Sequence, residues 1–292
     1  MTKRTTKSNV VQMPKKKSPG VSTAESLRLA QHKVYDAWES TGKRRATLAR
    51  EALAISEDCA DAYLLLAEDL RDGQERIELY RQAVAAGARA LGKNWETEYK
   101  GVCWLANETR PIMRAMASLA MELQGEDELQ EALTLYHKLM ELNPNDNQGI
   151  RYQLVGCLYE AGCDDELEKL LAAYNGDPSA ELLYTKALHF FRKHGPSKRS
   201  EKALKEAFKE NIHVPIFLSD IVEMPDEPPS SIGCGDDSEA IAYVMDHGYL
   251  WWDTEGASEW MAEKLAPDLR KAIDDRELVE EVIRALKGEY DD

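Results

Sequence analysis

Apolar residues recur every three or four positions along most of this chain, which is the spacing of one buried helix face. Leu27, Ala30, Val34 and Trp38 follow the cap-forming pair Ser22–Thr23 and predict a first helix. Thr41–Gly42 breaks it, and a second helix runs through Ala46, Ala49, Ala52 and Leu53. The pattern then repeats as pairs. Ala132 opens a helix, Tyr136 follows one turn later and Pro144 closes the unit, with Leu119 and Ala120 on the preceding helix and Gly125 in the turn. Leu154, Leu158, Gly162, Leu167 and Leu171 form the next pair, closed at Asp177–Pro178. Leu183, Tyr184, Ala187 and Phe190, the turn Gly195–Pro196, then Ala203, Ala207 and Pro215 form another. An earlier pair reads Ala62, Tyr63, Leu66, Ala67 and Leu70, then Ile77, Tyr80 and Ala83. A single helical hairpin cannot bury its apolar face alone, so such recurrence implies stacked pairs. The expectation is an all-α, tetratricopeptide-like solenoid of at least four antiparallel hairpins between residues 22 and 215, with no β-sheet.

Two stretches leave the pattern. Residues 88–107 lengthen a connection and hold Trp95, Tyr99 and Trp104. Residues 222–236 form a loop rich in proline, glycine and acid, of a length that often marks a functional segment or a boundary. Beyond it the spacing predicts a short helix over 239–246, the aromatic run Tyr249, Trp251 and Trp252, and a helix over 257–265. A last amphipathic helix is expected to start near Pro267, with Leu269, Ile273, Val279, Val282, Ile283 and Leu286 on one face. The organisation read from the sequence is a disordered basic tail at 1–20, helical repeats at 21–215, and an acidic loop with a helical extension at 216–292.

Charge sharpens this picture. The net charge is −16, yet Lys3, Arg4, Lys7, Lys15, Lys16 and Lys17 lie in a leader without any acid. Residues 220–292 hold 21 of the 53 acids. An acidic body repels phosphate backbones, which argues against nucleic-acid binding except through the basic tail. No apolar run reaches the roughly 18 residues that a membrane span needs, and the polar start does not resemble a secretory signal. The cysteines Cys59, Cys103, Cys157, Cys163 and Cys234 are odd in number and scattered, as expected of core thiols in a reducing cytoplasm rather than a disulfide framework.

Particular residues carry a resemblance. Trp104–Arg114 (WLANETRPIMR), Asn143–Arg151 (NPNDNQGIR), His213–Val214–Pro215, and the later set Gly233, Gly235, Glu239, Ala240, Tyr243, Trp252, Gly256, Ala257 and Trp260 resemble the suppression-of-tumorigenicity protein family, over about residues 100–262. The resemblance implies a fold similar to tetratricopeptide proteins, no established enzymatic activity, and action through protein contacts. The family's animal members carry membrane segments, which find no counterpart in this sequence.

Chemistry is sparse. Gly233-Cys-Gly235 is followed by acids that would repel a phosphate, the six histidines lack metal-ligand spacing, and no serine sits in a G-x-S-x-G turn. No catalytic residue, metal or cofactor is expected. One polar cluster stands out, with Arg110, Arg114 and Arg151 near the starts of the first helices of two successive pairs. Glu108 and Asp146, beside Arg110 and Arg151, suggest a structural role for those four residues. Arg114, one turn into its helix, is expected to face a groove and bind a partner's carboxylate or phosphate. Tyr152, Tyr159, Tyr184 and Phe191 are expected to floor that groove. The expected function is a non-catalytic scaffold that binds a protein or peptide. The alternative is an enzyme or anion-binding protein using the arginines.

Overall fold

The computed structural model describes residues 23–289. The basic leader at 1–20 and the expected cap Ser22 lie outside the described residues. Among the described residues helix accounts for 73%, with fifteen α-helices and no strand. The chain divides into two compact units, residues 1–150 and 151–292.

In the first unit α1 (Thr23–Trp38) packs on α2 (Gly42–Ile55), α3 (Ala60–Glu68) on α4 (Gly73–Leu91), and α6 (Arg110–Gly125) on α7 (Leu129–Leu142). Each pair is joined by a short turn, at residues 39–41, 69–72 and 126–128, so the partners run antiparallel. The first helices are themselves neighbours, α1 with α3 and α3 with α6. Ala30, Val34, Ala49, Ala52, Ala62, Leu65 and Ala132 are wholly buried, so the small residues that set the sequence pattern sit at helix contacts. The backbones of α4 and α6 approach so closely at Gly87 that an added Cβ would stand 2.7 Å from Ile112 Cβ.

The irregular stretch 88–107 is partly helix. α4 continues to Leu91, a single turn α5 (Trp95–Glu98) follows, and two 3-10 turns at Cys103–Leu105 and Asn107–Thr109 lead into α6. Thr109, wholly buried, donates its hydroxyl to the Cys103 carbonyl and ties this connection down.

The second unit holds α8 (Ile150–Glu160), which starts at the boundary, with α9 (Asp164–Ala173), α10 (Ala180–His194) and α11 (Lys198–Glu210). The turns at 161–163 and 195–197 match those of the first unit, and a Ser197–Ser200 capping box starts α11. Pro215 does not close a pair. It opens the short α12 (Val214–Leu218), where a proline's missing N–H costs nothing. After the acidic loop, Asp236 accepts from the amides of Ser238 and Glu239 and starts α13 (Asp237–Trp252). That helix is longer than expected and carries the whole aromatic run. Pro267 lies inside α14 (Ala257–Ala272), and the last helix, α15, is Arg276–Leu286. It starts late because Ile273 is extended and Asp275 caps the amide of Leu278 at 3.1 Å. α10 packs on α13 and α14, so helices grouped with the repeats by the sequence share a unit with the C-terminal extension.

First helices start at residues 23, 60, 110, 150 and 180. The interval varies, and the 34-residue tetratricopeptide period is not kept.

Candidate functional site

Two buried polar clusters stand out, one in each unit. The first is built on Asp61, in the opening turn of α3 amid an otherwise apolar run from Cys59 to Ala67. Its carboxylate is wholly buried. Arg114 on α6 grips it with two hydrogen bonds, Nε to Oδ1 at 3.0 Å and Nη2 to Oδ2 at 2.7 Å. Gln31 on α1 donates to Oδ2 at 2.9 Å. Asp61 thus joins three first helices. A buried carboxylate needs such a set, because without it the cost of desolvation would favour the neutral acid or the unfolded chain.

The guanidinium of Arg114 keeps 35% of its side-chain exposure and lies over the ring of Trp38, 5.5 Å from its centroid. Trp38 is 48% exposed, and Tyr35, 49% exposed, packs against it at 5.5 Å. Arg114 therefore does not stand in the open without an internal partner, as the sequence suggested. It clamps a buried acid and offers one face to an exposed aromatic pair. Arg110 and Glu108 do not pair with each other. Arg110 donates to the Trp104 carbonyl at 3.1 Å and lies over the Trp104 ring, and Glu108 accepts from the Tyr99 hydroxyl. Asp146, buried and in the left-handed region at φ 47°, accepts the amide of Ile150 at 2.7 Å.

The second cluster surrounds the starts of α8, α10 and α13. Arg151 donates to Asp177 Oδ2 at 2.8 Å and to the Tyr152 hydroxyl, with its guanidinium 4.0 Å from the Tyr152 ring centroid. Asp177 in turn accepts the amide of Ser179. Glu239, 4% exposed, accepts from Asn211 Nδ2 at 2.9 Å and from the amides of Gly235 at 2.9 Å and Ala180 at 3.3 Å. Tyr184 is wholly buried and donates its hydroxyl to the Asn211 carbonyl at 2.6 Å. Phe191 is buried and stacks on Trp260 at 4.6 Å. Tyr159 is buried beneath the guanidinium of Arg192. So Tyr159, Tyr184 and Phe191 pack the core of the second unit instead of flooring an open groove, because α13 and α14 cover α10. Tyr152 alone of the four is half-buried, and burial pushes its hydroxyl up to about 12.

The carboxyl of Glu181, on α10 beside this network, is pushed far above the usual carboxylate range, to about 7. Burial is the main cause, and the charges of Glu239, Asp246 and Asp177 add to it. The unfolded side chain releases its proton near 4.5. The stability that neutral Glu181 contributes is therefore complete below about 4.5, fades as pH rises, and is gone above about 7. Glu181→Gln, which fixes the neutral state, should leave the melting temperature unchanged at pH 4 and raise it at pH 8. An equal shift at both pH values would contradict this assignment.

His247 on α13 is wholly buried, and its Nε2 pairs with the Tyr152 carbonyl at 2.9 Å. It presses on Gly156 of α8, where an added Cβ would meet His247 Cε1 at 2.5 Å. Alanine is preferred over glycine within a helix by about 1 kcal/mol, but overpacking costs about 1–3 kcal/mol. Gly156→Ala should lower stability in the native background and raise it when His247 is also alanine. Thermal melts of the two single variants and the double variant read this change of sign.

The thiols of Cys59 and Cys157 are buried and pushed up to about 12 by that burial, so they behave as core residues and not as nucleophiles. No group of three or more metal-ligating side chains occurs among the described residues. No helix of the described residues is long and apolar enough to cross a membrane.

Sequence reasoning missed Asp61, Gln31, Asn211, Glu239's role and His247. A lone acid inside an apolar run, and a glycine in mid-helix between Val155 and Cys157, are the signals that mark two of these sites.

These features define an all-helical protein of paired helices, its pairs stitched by buried polar links. A model of the ST7 protein family matches residues 20–265, and the chain belongs to that family. It is 29% identical over 255 residues to the suppressor of tumorigenicity 7 protein-like of Homo sapiens, covering 79% of this chain and 44% of the relative. The Bos taurus protein of the same description is also 29% identical, with 46% of its length covered. The suppressor of tumorigenicity 7 protein of Mus musculus is 28% identical over 280 residues, covering 80% of this chain and 48% of the relative. The chain thus spans about half the length of the curated relatives it matches.

Proposed function

We propose that this chain is a non-catalytic scaffold of tetratricopeptide-like helix pairs that binds a protein partner through the first helices of its first unit, in a reducing compartment such as the cytoplasm. The observation that carries the reading is the exposed trio of Tyr35, Trp38 and Arg114. Two aromatic rings, each about half exposed, pack at a tilt beside a guanidinium anchored from behind by a buried acid. Tyrosine, tryptophan and arginine dominate binding energy at protein interfaces, and a rigidly held side chain loses little entropy on binding. The free thiols are compatible with a reducing compartment.

The rival reading, an anion site or enzyme built on Arg110, Arg114 and Arg151, needs a guanidinium ready to take the anion. Arg114 is committed to Asp61, Arg151 to Asp177, and Arg110 to a backbone carbonyl. The geometry gives that reading no support.

The test places a photo-crosslinking amino acid at position 35, in chains with Trp38 intact or replaced by alanine. The reading expects a small set of proteins to be captured from native extract and lost with Trp38→Ala, while the melting temperature is unchanged. Capture of the same set from a crosslinker at Glu78, on the second helix of its pair, would overturn it.

A further inference from the structure

The second unit contains a cleft of about 610 Å3 formed by the end of α12, the turn between α13 and α14, and the end of α15. Its apolar floor is Trp252, 54% exposed, with Leu218 and Leu286 beside it. Around the rim stand the carboxylates of Asp220, Glu255 and Glu259, all exposed. No lysine, arginine or histidine lines the cleft among the described residues, and none of the three carboxylates has an ion-pair partner there. That sets them apart from acids elsewhere in the unit, such as Asp164, Glu168 and Glu280, each of which holds a base.

The tryptophan ring is fixed in place. Its Nε1 donates to the Leu218 carbonyl at 3.1 Å. Its six-membered ring lies back across its own helix at Gly248, where an added Cβ would meet Cη2 at 3.0 Å and Cζ3 at 3.3 Å. The chain thus gives up a side chain in mid-helix, at a cost in helix propensity, in a position that lets the ring lie there.

We propose that this cleft binds a lysine or arginine side chain of a basic peptide segment in a partner protein. An aromatic face attracts a cation through the quadrupole of its ring, and the effect strengthens as the cation is desolvated. Three carboxylates without their own bases supply the matching charge, and an overall charge of −16 steers a basic segment toward the site. The apolar floor accepts the methylenes of a long basic side chain. This site is distinct from Tyr35, Trp38 and Arg114, and stands or falls without them.

The test is fluorescence anisotropy with a short labelled peptide alternating lysine and serine, against the full chain at moderate salt. The peptide should bind saturably, and its Nε-acetylated form should not. Trp252→Ala, and separately the triple change Asp220→Asn, Glu255→Gln and Glu259→Gln, should each weaken binding about fivefold or more. Trp252→Phe, which keeps a ring, should lose less than Trp252→Ala, and melting curves show whether each variant is folded. Neutralising Glu223, Asp226 and Glu227 in the acidic loop should leave binding unchanged. Equal weakening by the loop variant would mean diffuse attraction to an acidic surface and would overturn the proposal. So would undiminished binding by the cleft triple variant, or equal binding of the acetylated peptide.

Discussion

Arg114→Ala should destabilise the first unit by about 3 kcal/mol, most of it the cost of leaving Asp61 charged and buried without its bidentate partner. The guanidinium is itself 35% exposed, so water relieves part of the loss, and the figure belongs at the low end of the range for broken buried pairs. Gln31 still donates one hydrogen bond but brings no charge. Asp61→Asn should cost less, because the amide keeps an acceptor for Gln31 and leaves the arginine partly in water. The double variant should be more stable than the sum of the singles implies, by more than about 1 kcal/mol. Urea denaturation of the four proteins measures this. Additive effects would show that the two groups are not coupled. The outcome matters for function too, since a partner lost with Arg114→Ala could be lost through unfolding, which is why Trp38 is the better probe of binding.

Glu239→Ala should cost about 3–4 kcal/mol in the second unit. A hydrogen bond to a charged group contributes about 1.5–3 kcal/mol, and buried donors left without an acceptor add to the loss. Glu239 serves three donors from three segments, the start of α10, the end of α11 and the acidic loop. Removing it unfastens the loop at Gly235 and frees the Asn211 side chain, which also donates to the Asp236 carbonyl. Glu239→Gln should recover only part of the loss, because an amide offers one acceptor oxygen where the carboxylate offers two. A melting temperature for Glu239→Ala within a degree or so of the native chain would show that the loop does not depend on this contact.

The helical class and most of the pairs were legible in the sequence, because a 3.6-residue period in burial requires nothing beyond local patterning. Ala132, Tyr136, Ala203 and Ala207 are buried where that pattern puts them. Helix ends were less legible. Periodicity alone did not reveal that α13 runs on through Trp252, or that Asp275 delays α15, since both depend on caps and on aromatic residues buried by neighbours distant in the chain. The polar clusters were the hardest. Arg151 is visible in the sequence, but its acid Asp177 comes from the turn after α9. Arg114 is visible too, but its acid lies 53 residues earlier, in a different pair. Pairing partners of this kind are set by which first helices lie side by side, and sequence distance carries no trace of that. Tyr184 and Phe191 are buried where the sequence puts them on an open groove, for a similar reason, because nothing local announces that α13 and α14 fold over α10.

The link among Gln31, Asp61 and Arg114 has a bearing on how the first unit comes apart. Helix pairs that touch only their neighbours can fray one at a time from an end, so that a terminal pair opens long before the rest. Here α1 cannot leave without taking a donor from a carboxylate that α6 also holds, through a residue on α3. Peeling away one pair therefore exposes part of an ionic centre that the other two still need. Opening the first pair therefore costs a hydrogen bond to a buried carboxylate as well as its own apolar contacts, which ties that pair to the two that hold Asp61 and Arg114.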